Sequence, residues 1–187
     1  VPIGEWALKE TILIKNFMQW RKKFMKFFFS QFKTSAKSTK LYLKNLSIYQ
    51  KNRIFFAIYT KKKLVGHIGL KNISNSKAEL DNIIRGKKGG HHDLIYFSEK
   101  KLLEWAFKNL KIKSVVAEVM SNNVLALSFH KRFGFTRKKS FFLKKIKEKK
   151  LIQFKHCSKS ESTENFFSYI IELKYNKFIK QNTLDIK

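Results

Sequence analysis

A single cysteine, Cys157, rules out an intramolecular disulfide and a cysteine-rich zinc site, and it fits a reducing compartment. Histidine is sparse as well. Of the five, only His91 and His92 adjoin, and neighbouring side chains diverge on a helix or strand, so no metal centre is expected. There is no apolar run of the roughly twenty residues needed to span a bilayer. The longest aromatic run, Phe27 to Phe29, lies between Lys26 and Gln31. The N-terminal stretch lacks the pattern of a secretory signal, which predicts a soluble cytoplasmic protein. The opening residue is Val1 rather than Met, read as a short missing N-terminal piece.

Acid is the scarcest chemistry. Thirteen Asp and Glu face 41 Lys and Arg, for a net charge of +28. Such a field attracts polyanions: nucleic acid, an anionic membrane surface, or phosphorylated small molecules. Arginine is itself rare, with five residues, and the lysines are spread along the whole chain. A lysine-rich compositional bias is therefore the competing explanation, since dedicated phosphate sites favour arginine forks.

What the chain has in quantity is apolar material, 43% of its residues with 19 Phe, ample for the core of one domain over residues 1–187. No internal repeat or interdomain linker is visible. Apolar residues recur at helical spacing from Glu10 to about Phe32, and Leu41, Leu43, Leu46 and Tyr49 suggest a second short helix after a Ser/Thr/Lys loop at Thr34 to Thr39. Arg53 to Tyr59 and Leu64 to Leu70 form a β-hairpin about Lys61 to Lys63, and Lys77 to Ile84 a third strand. Past the glycine-rich Arg85 to Gly90, an amphipathic helix runs from about Asp93 to Leu110 with Ile95, Leu102, Leu103, Ala106, Phe107 and Leu110 as its buried stripe. Ser114 to Met120 is a strand. A very basic stretch follows Phe135, then two late strands at Leu151 to Phe154 and Phe166 to Leu173.

The most specific segment is SNNVLALSFHKRFGF, Ser121 to Phe135. Ser121 or Asn122 can cap a short helix through a side-chain oxygen, and Gly134 ends it by entering the left-handed region. Ala126, Leu127, Phe129 and Phe133 give that helix an apolar face, with His130 one turn after Ala126.

This ending resembles the segment of the GCN5-related N-acetyltransferases, the GNAT superfamily, in which a short helix closes over the thiol end of acetyl-coenzyme A. FFAIYTKKKLVGHIGL resembles the family's central hairpin and AELDNIIRG its fourth strand and exit. Trp20-Arg21, the hairpin and the IRG exit resemble the branch that acylates amino-sugar nucleotides for bacterial surface polysaccharides. The resemblance implies an α/β fold with a mixed, mostly antiparallel central sheet flanked by helices. It implies an acyl-CoA-dependent N-acyltransferase that takes acetyl-CoA as donor and needs no metal.

In that chemistry an amine attacks the thioester carbonyl, so the enzyme must take a proton from the ammonium, steady the oxyanion and return a proton to sulfur. By resemblance, His130 stands where the family's Tyr protonates the leaving thiolate, and Glu79 and Asp81 are the base candidates on their strand. Ile83, Ile84, Arg85, Gly86, Lys88, Gly89, Gly90 and Asn123 fall to the coenzyme, and Trp20, Arg21 and His67 to the acceptor. Each has a plainer alternative: a surface ion pair for the carboxylates, core packing for His130 and His67, helix capping for Asn123.

One departure stands out. His91, His92 and Asp93 occupy positions before the long helix where the family has small residues whose amides hold pyrophosphate, and a carboxylate there disfavours phosphate. Lys87, Lys88, His91 and His92 can offset this by direct charge. The competing class is a nucleic-acid-binding module on a degenerate scaffold, suggested by the charge and by aromatics interleaved with lysines. An amino acid, a polyamine or a protein N-terminus are the other acceptors, a polyamine being disfavoured by like charge.

Overall fold

A computed structural model describes residues 1–182. In chain order the regular elements are α1 (Thr11–Lys23), β1 (Ser30–Phe32), α2 (Ala36–Leu43), β2 (Ile54–Thr60), β3 (Lys63–Lys71), β4 (Lys77–Arg85), α3 (Leu94–Asn109), β5 (Ser114–Met120), α4 (Val124–Lys131), β6 (Thr136–Glu148), β7 (Leu151–Cys157), β8 (Phe167–Lys174) and α5 (Tyr175–Asn182). The expected class is observed: mixed α/β, strands mostly antiparallel, helices alongside. The described chain divides into two compact units, residues 1–23 with 34–112, and residues 24–33 with 113 onward.

The first unit is built on β2, β3 and β4, paired antiparallel in sequence order. The hairpin turn places Lys61 and Lys62 at φ 45° and 63°, the geometry of a two-residue turn whose twist matches the strands. Helix α1 buries Leu13, Ile14, Phe17 and Trp20 at helical spacing, and its last turn carries Arg21, Lys22 and Lys23 against the negative helix end. The expected loop at Thr34 to Thr39 is instead the start of α2. Ser35 Oγ accepts from Ser38 N at 3.0 Å while Ser38 Oγ accepts from Ser35 N at 2.9 Å, a reciprocal cap. Helix α2 then loosens into a π-helical turn, Lys44–Ile48. Of the expected apolar face only Leu43 is buried: Leu41 is already exposed within α2, and beyond it the change of period shifts the helix phase and leaves Leu46 and Tyr49 exposed. In α3 the stripe Ile95, Leu102, Leu103, Ala106 and Phe107 is buried as expected; Leu110 lies beyond the last turn and is half-buried.

The second unit orders its strands β1-β7-β6-β8-β5, each neighbouring pair antiparallel. Two expectations change here. The helical pattern from Glu10 stops at Lys23, and Ser30–Phe32 pairs with Gln153, Ile152 and Leu151 instead. Phe28, Phe29 and Phe32 fit a helical period equally well, but a distant strand claims their backbone: Phe154 N donates to Phe29 O at 2.8 Å. The basic stretch after Phe135 is the long strand β6, where outward lysines mask the alternation that buries Leu143. Met120, Leu143 and Phe154 form a core with Phe29, Ile152 and Phe166 packed on it. No helix among the described residues is long and apolar enough to cross a membrane.

Candidate active site

In the first unit the chemistry gathers where β4 is irregular. His67 pairs with Ile84 and Gly69 with Asp81, so Asn82 and Ile83 together oppose Ile68, a β-bulge. Asn82 takes φ 49°, a left-handed conformation that asparagine tolerates better than most residues. The bulge breaks the strict alternation expected of β4 and places Asn82 at the centre of a polar network. Its amide donates to Tyr42 OH at 2.7 Å and to Asp81 Oδ1 at 3.0 Å, and its Oδ1 accepts from Arg21 Nη1 at 3.4 Å.

Both expected base candidates are engaged. Asp81 Oδ2 pairs with Arg53 at 3.1 Å, and Lys71 stands 4.0 Å from its Oδ1. Glu79 pairs with Lys71 at 3.0 Å and accepts from Asn72 at 2.8 Å. Arg53 also donates to the Leu46 carbonyl in the π turn. Arg53 and Lys71 line a cleft of about 220 Å³ with Leu46, Gln50, Asn52 and Asn72. Arg21 is half-buried, and the loss of water lowers its pKa to about 10 against the opposing pull of Tyr42 and Asp81, which leaves it a cation at neutral pH. Burial likewise raises the Tyr42 phenol, with the Asp81 charge adding to it, so Tyr42 stays a donor.

His67 and Trp20, both expected at the acceptor, lie together. The His67 ring centroid is 4.4 Å from Phe17, 5.0 Å from Phe55 and 5.9 Å from Trp20. Its Nδ1 is 2.6 Å from the Asn82 carbonyl. Because a carbonyl only accepts, Nδ1 carries the proton. Burial first, and the Arg21 charge after it, lower the His67 pKa from 6.5 to about 4 despite that bond, so the imidazole is neutral.

The expected coenzyme loop leaves β4 through Arg85 and Gly86. Gly86 has no room for a side chain: a Cβ there would lie 1.9 Å from the Trp20 ring. Amides of Gly86 and Lys87 both donate to the Val65 carbonyl. The Arg85 guanidinium closes the loop on itself, donating to the carbonyls of Gly89 at 3.1 Å and His91 at 3.2 Å and to that of His92. Gly89 and Gly90 hold φ 134° and 70°, backbone that other residues adopt only with strain. At the head of α3, Asp93 N donates to His91 Nδ1 at 3.1 Å and Leu94 N to the His91 carbonyl at 3.1 Å. Asp93 does not cap the helix through its side chain; its carboxylate meets His92 Nε2 at 3.2 Å. Two helix-end amides are thus already taken, and the exposed ammonium groups of Lys87 and Lys88 are what the loop offers an anion.

In the second unit α4 begins at Asn123 rather than at Ser121 or Asn122. Asn123 Oδ1 accepts from Ala126 N at 3.3 Å, while Ser121 Oγ bonds Phe167 N at 2.9 Å instead. Gly134 ends the segment at φ 96°. His130 is 6% exposed, its ring 5.6 Å from Phe129 and 5.3 Å from Phe135.

Sequence reasoning passed over Tyr42, Arg53, Lys71 and Asn82. The one local signal was an asparagine beside an aspartate in a strand, a residue type suited to a bulge. The other three are joined to it only by the fold.

The profile of the family described as "Acetyltransferase (GNAT) domain" matches residues 8–136. No curated protein sequence matches this chain significantly. Among solved structures, the N-acetyltransferase PseH of Campylobacter jejuni is 17% identical, with 89% of this chain and 92% of that chain covered, at a TM-score of 0.57. PseH has also been solved in complex with acetyl coenzyme A. Spermidine N-acetyltransferase of Vibrio cholerae, in complex with CoA and spermine, is 15% identical over 96% of each chain at a TM-score of 0.68. A T. thermophilus protein described as a putative acetyltransferase is 14% identical over 99% of this chain and 90% of that chain, also at 0.68. At these identities the likeness speaks for the fold.

Proposed function

The chain belongs to the GNAT acetyltransferase family, and from that premise we propose that it acetylates the primary amine of a nucleotide-linked amino sugar, in the cytoplasm, as a step toward surface polysaccharide. It is an acyl-CoA-dependent N-acyltransferase with acetyl-CoA as donor.

The observation that carries the acceptor class is the half-buried Arg21, set with Arg53 and Lys71 around the β4 bulge. Asp81 and Glu79 offset two of these three cations, so the bulge keeps a net positive charge, and the chain's net charge of +28 adds the larger part of the repulsion toward a polyamine. An acceptor bearing phosphates gains from the same field. Trp20, Arg21 and His67 would shape the sugar site: His67 as a neutral donor spent on Asn82, Trp20 as a flat apolar wall over Gly86. The resemblance of Trp20-Arg21, the hairpin and the IRG exit to the amino-sugar branch supports the same acceptor.

The coenzyme would lie along Ile83, Ile84, Arg85 and Gly86, with its pyrophosphate near Lys88, Gly89 and Gly90; Asn123 is the further residue that the resemblance gives to the coenzyme. Lysine charge does there what free helix-end amides do elsewhere in the family, so binding should weaken steeply with salt. His130 would return the proton to sulfur. The competing nucleic-acid reading draws only on charge and on lysines interleaved with aromatics.

The test is release of free thiol from acetyl-CoA with a panel of a nucleotide-linked amino sugar, spermidine, a free amino acid and a peptide N-terminus. Turnover with the sugar nucleotide at far higher kcat/KM is expected. Preference for spermidine overturns the acceptor assignment and leaves the family intact.

A further inference from the structure

Three side chains at the head of α3 converge instead of diverging. Neighbouring residues point apart in a helix or strand, but His91, His92 and Asp93 lie in turn backbone between Gly90 and Leu94, the first residue of α3. One ligand-type atom from each lies within 4.8 Å of the other two. The two imidazoles lie against each other, their centroids 4.2 Å apart and their planes tilted by 31°. His92 Nε2 is 3.2 Å from Asp93 Oδ2, and His91 Nδ1 accepts from the amide of the same aspartate at 3.1 Å. All of these residues belong to the first unit.

The spacing is that of metal ligands. Two ligands of a tetrahedral ion, at bonds of about 2.0–2.1 Å, stand about 3.3 Å apart. His92 Nε2 and Asp93 Oδ2 already hold that separation. The third atom has to close by about 1.5 Å at most, the difference between 4.8 Å and that spacing, and His91 is exposed and can turn. The backbone beneath is fixed beforehand. The Arg85 guanidinium donates to the carbonyls of Gly89, His91 and His92, and Leu94 N donates to the His91 carbonyl. Only side-chain rotation is lost when an ion binds.

Donor chemistry narrows the ion. Two imidazoles and a carboxylate suit zinc, cobalt, nickel or copper, whereas magnesium and calcium prefer oxygen ligands alone. Asp93 supplies the one negative charge. Arg85, Lys87 and Lys88 are the cations of the same loop, so the surrounding field opposes any metal ion and the imidazole bonds must carry the binding. Pairing of His92 with Asp93 explains that contact alone; the third donor is what separates a site from an ion pair.

We propose that His91, His92 and Asp93 bind one divalent transition ion of the zinc class, which ties the loop leaving β4 to the start of α3. The ion takes the place of the proton between His92 and Asp93 and of the amide hydrogen at His91 Nδ1, and it leaves a fourth position to water. It has no part in acyl transfer, which needs no metal in this family.

The experiment titrates Co2+ into the metal-free protein, made without a polyhistidine tag, and follows visible absorption. Wild type should bind one ion per chain with the strong bands of four-coordinate cobalt. Zn2+ should abolish those bands and raise the melting temperature, as a ligand of the folded chain does. Excess Mg2+ should do neither. His91→Gln, His92→Gln and Asp93→Asn should each weaken Co2+ binding by more than about tenfold, since even the outer partners of a metal site are worth roughly ten- to a hundredfold. Circular dichroism should show these variants folded, because the two histidines are exposed and Asp93 half-buried. His156→Gln controls for a second histidine–carboxylate pair, His156 Nε2 with Glu118 at 2.7 Å, and should bind as wild type does. Absent bands in wild type, bands that survive in all three loop variants, a thiolate charge-transfer band from Cys157, or loss of binding in His156→Gln overturns the proposal. None of these outcomes touches the acetyltransferase reading, whose own test is thiol release.

Discussion

His67 donates its Nδ1 proton to the Asn82 carbonyl across 2.6 Å, and that carbonyl belongs to the one residue of β4 with a left-handed backbone. A buried neutral imidazole and a strand bulge hold each other in place.

A pH dependence follows from the His67 shift. The unfolded chain binds a proton at this group near 6.5, whereas the folded chain does so only at about 4. Its contribution is present above about 6.5 and is lost as pH falls toward 4. Urea titrations at pH 7 and pH 4.5 should show wild type losing about 2–3 kcal/mol more than His67→Leu, from 1.36 kcal/mol per unit. Equal losses in the two proteins would remove His67 as the cause.

The Arg53–Asp81 pair tests the network around the bulge. Arg53→Met should destabilise by about 2–3 kcal/mol, less than a fully buried pair, because Lys71 remains 4.0 Å from the carboxylate. Adding Asp81→Asn should recover much of that loss, since the stranded charge is gone. Strict additivity in chemical denaturation would show the two residues to be uncoupled.

Gly86 and Trp20 are packed backbone to ring, with no volume for a methyl group. Gly86→Ala should cost about 1–3 kcal/mol, the range for overpacking, and shift tryptophan emission to the red as Trp20 is displaced. Unchanged emission and melting temperature would mean that the ring moves freely.

His130→Phe should keep the fold, since its neighbours Phe129 and Phe135 already form an aromatic cluster. If His130 returns the proton to sulfur, kcat should fall roughly a hundredfold with coenzyme affinity intact. An unchanged rate would assign His130 to packing alone.

The hairpin, α3 and α4 were legible because their signals are local. Arg53 to Leu70 carries strand-forming residues about a tight turn, Ile95 to Phe107 keeps one helical stripe, and Gly134 stops a helix whose start a polar cap marks within a residue or two. The family resemblance rested on those same segments, and residues 8–136 match it. The strands β1 and β6 were not legible. Phe28, Phe29 and Phe32 suit a helix as well as a strand, and the lysines of β6 hide its alternation; pairing with β7 decides the first, and pairing with β7 and β8 the second.

Composition determined a basic, phenylalanine-rich chain, and local residue order determined its mix of helices and strands, for propensity and hydrophobic period act between near neighbours. Tertiary structure decided which polar residues meet. Asn82 with Tyr42, and Glu118 with His156, lie 40 and 38 positions apart, and no local pattern encodes a contact that exists only once strands have found their register.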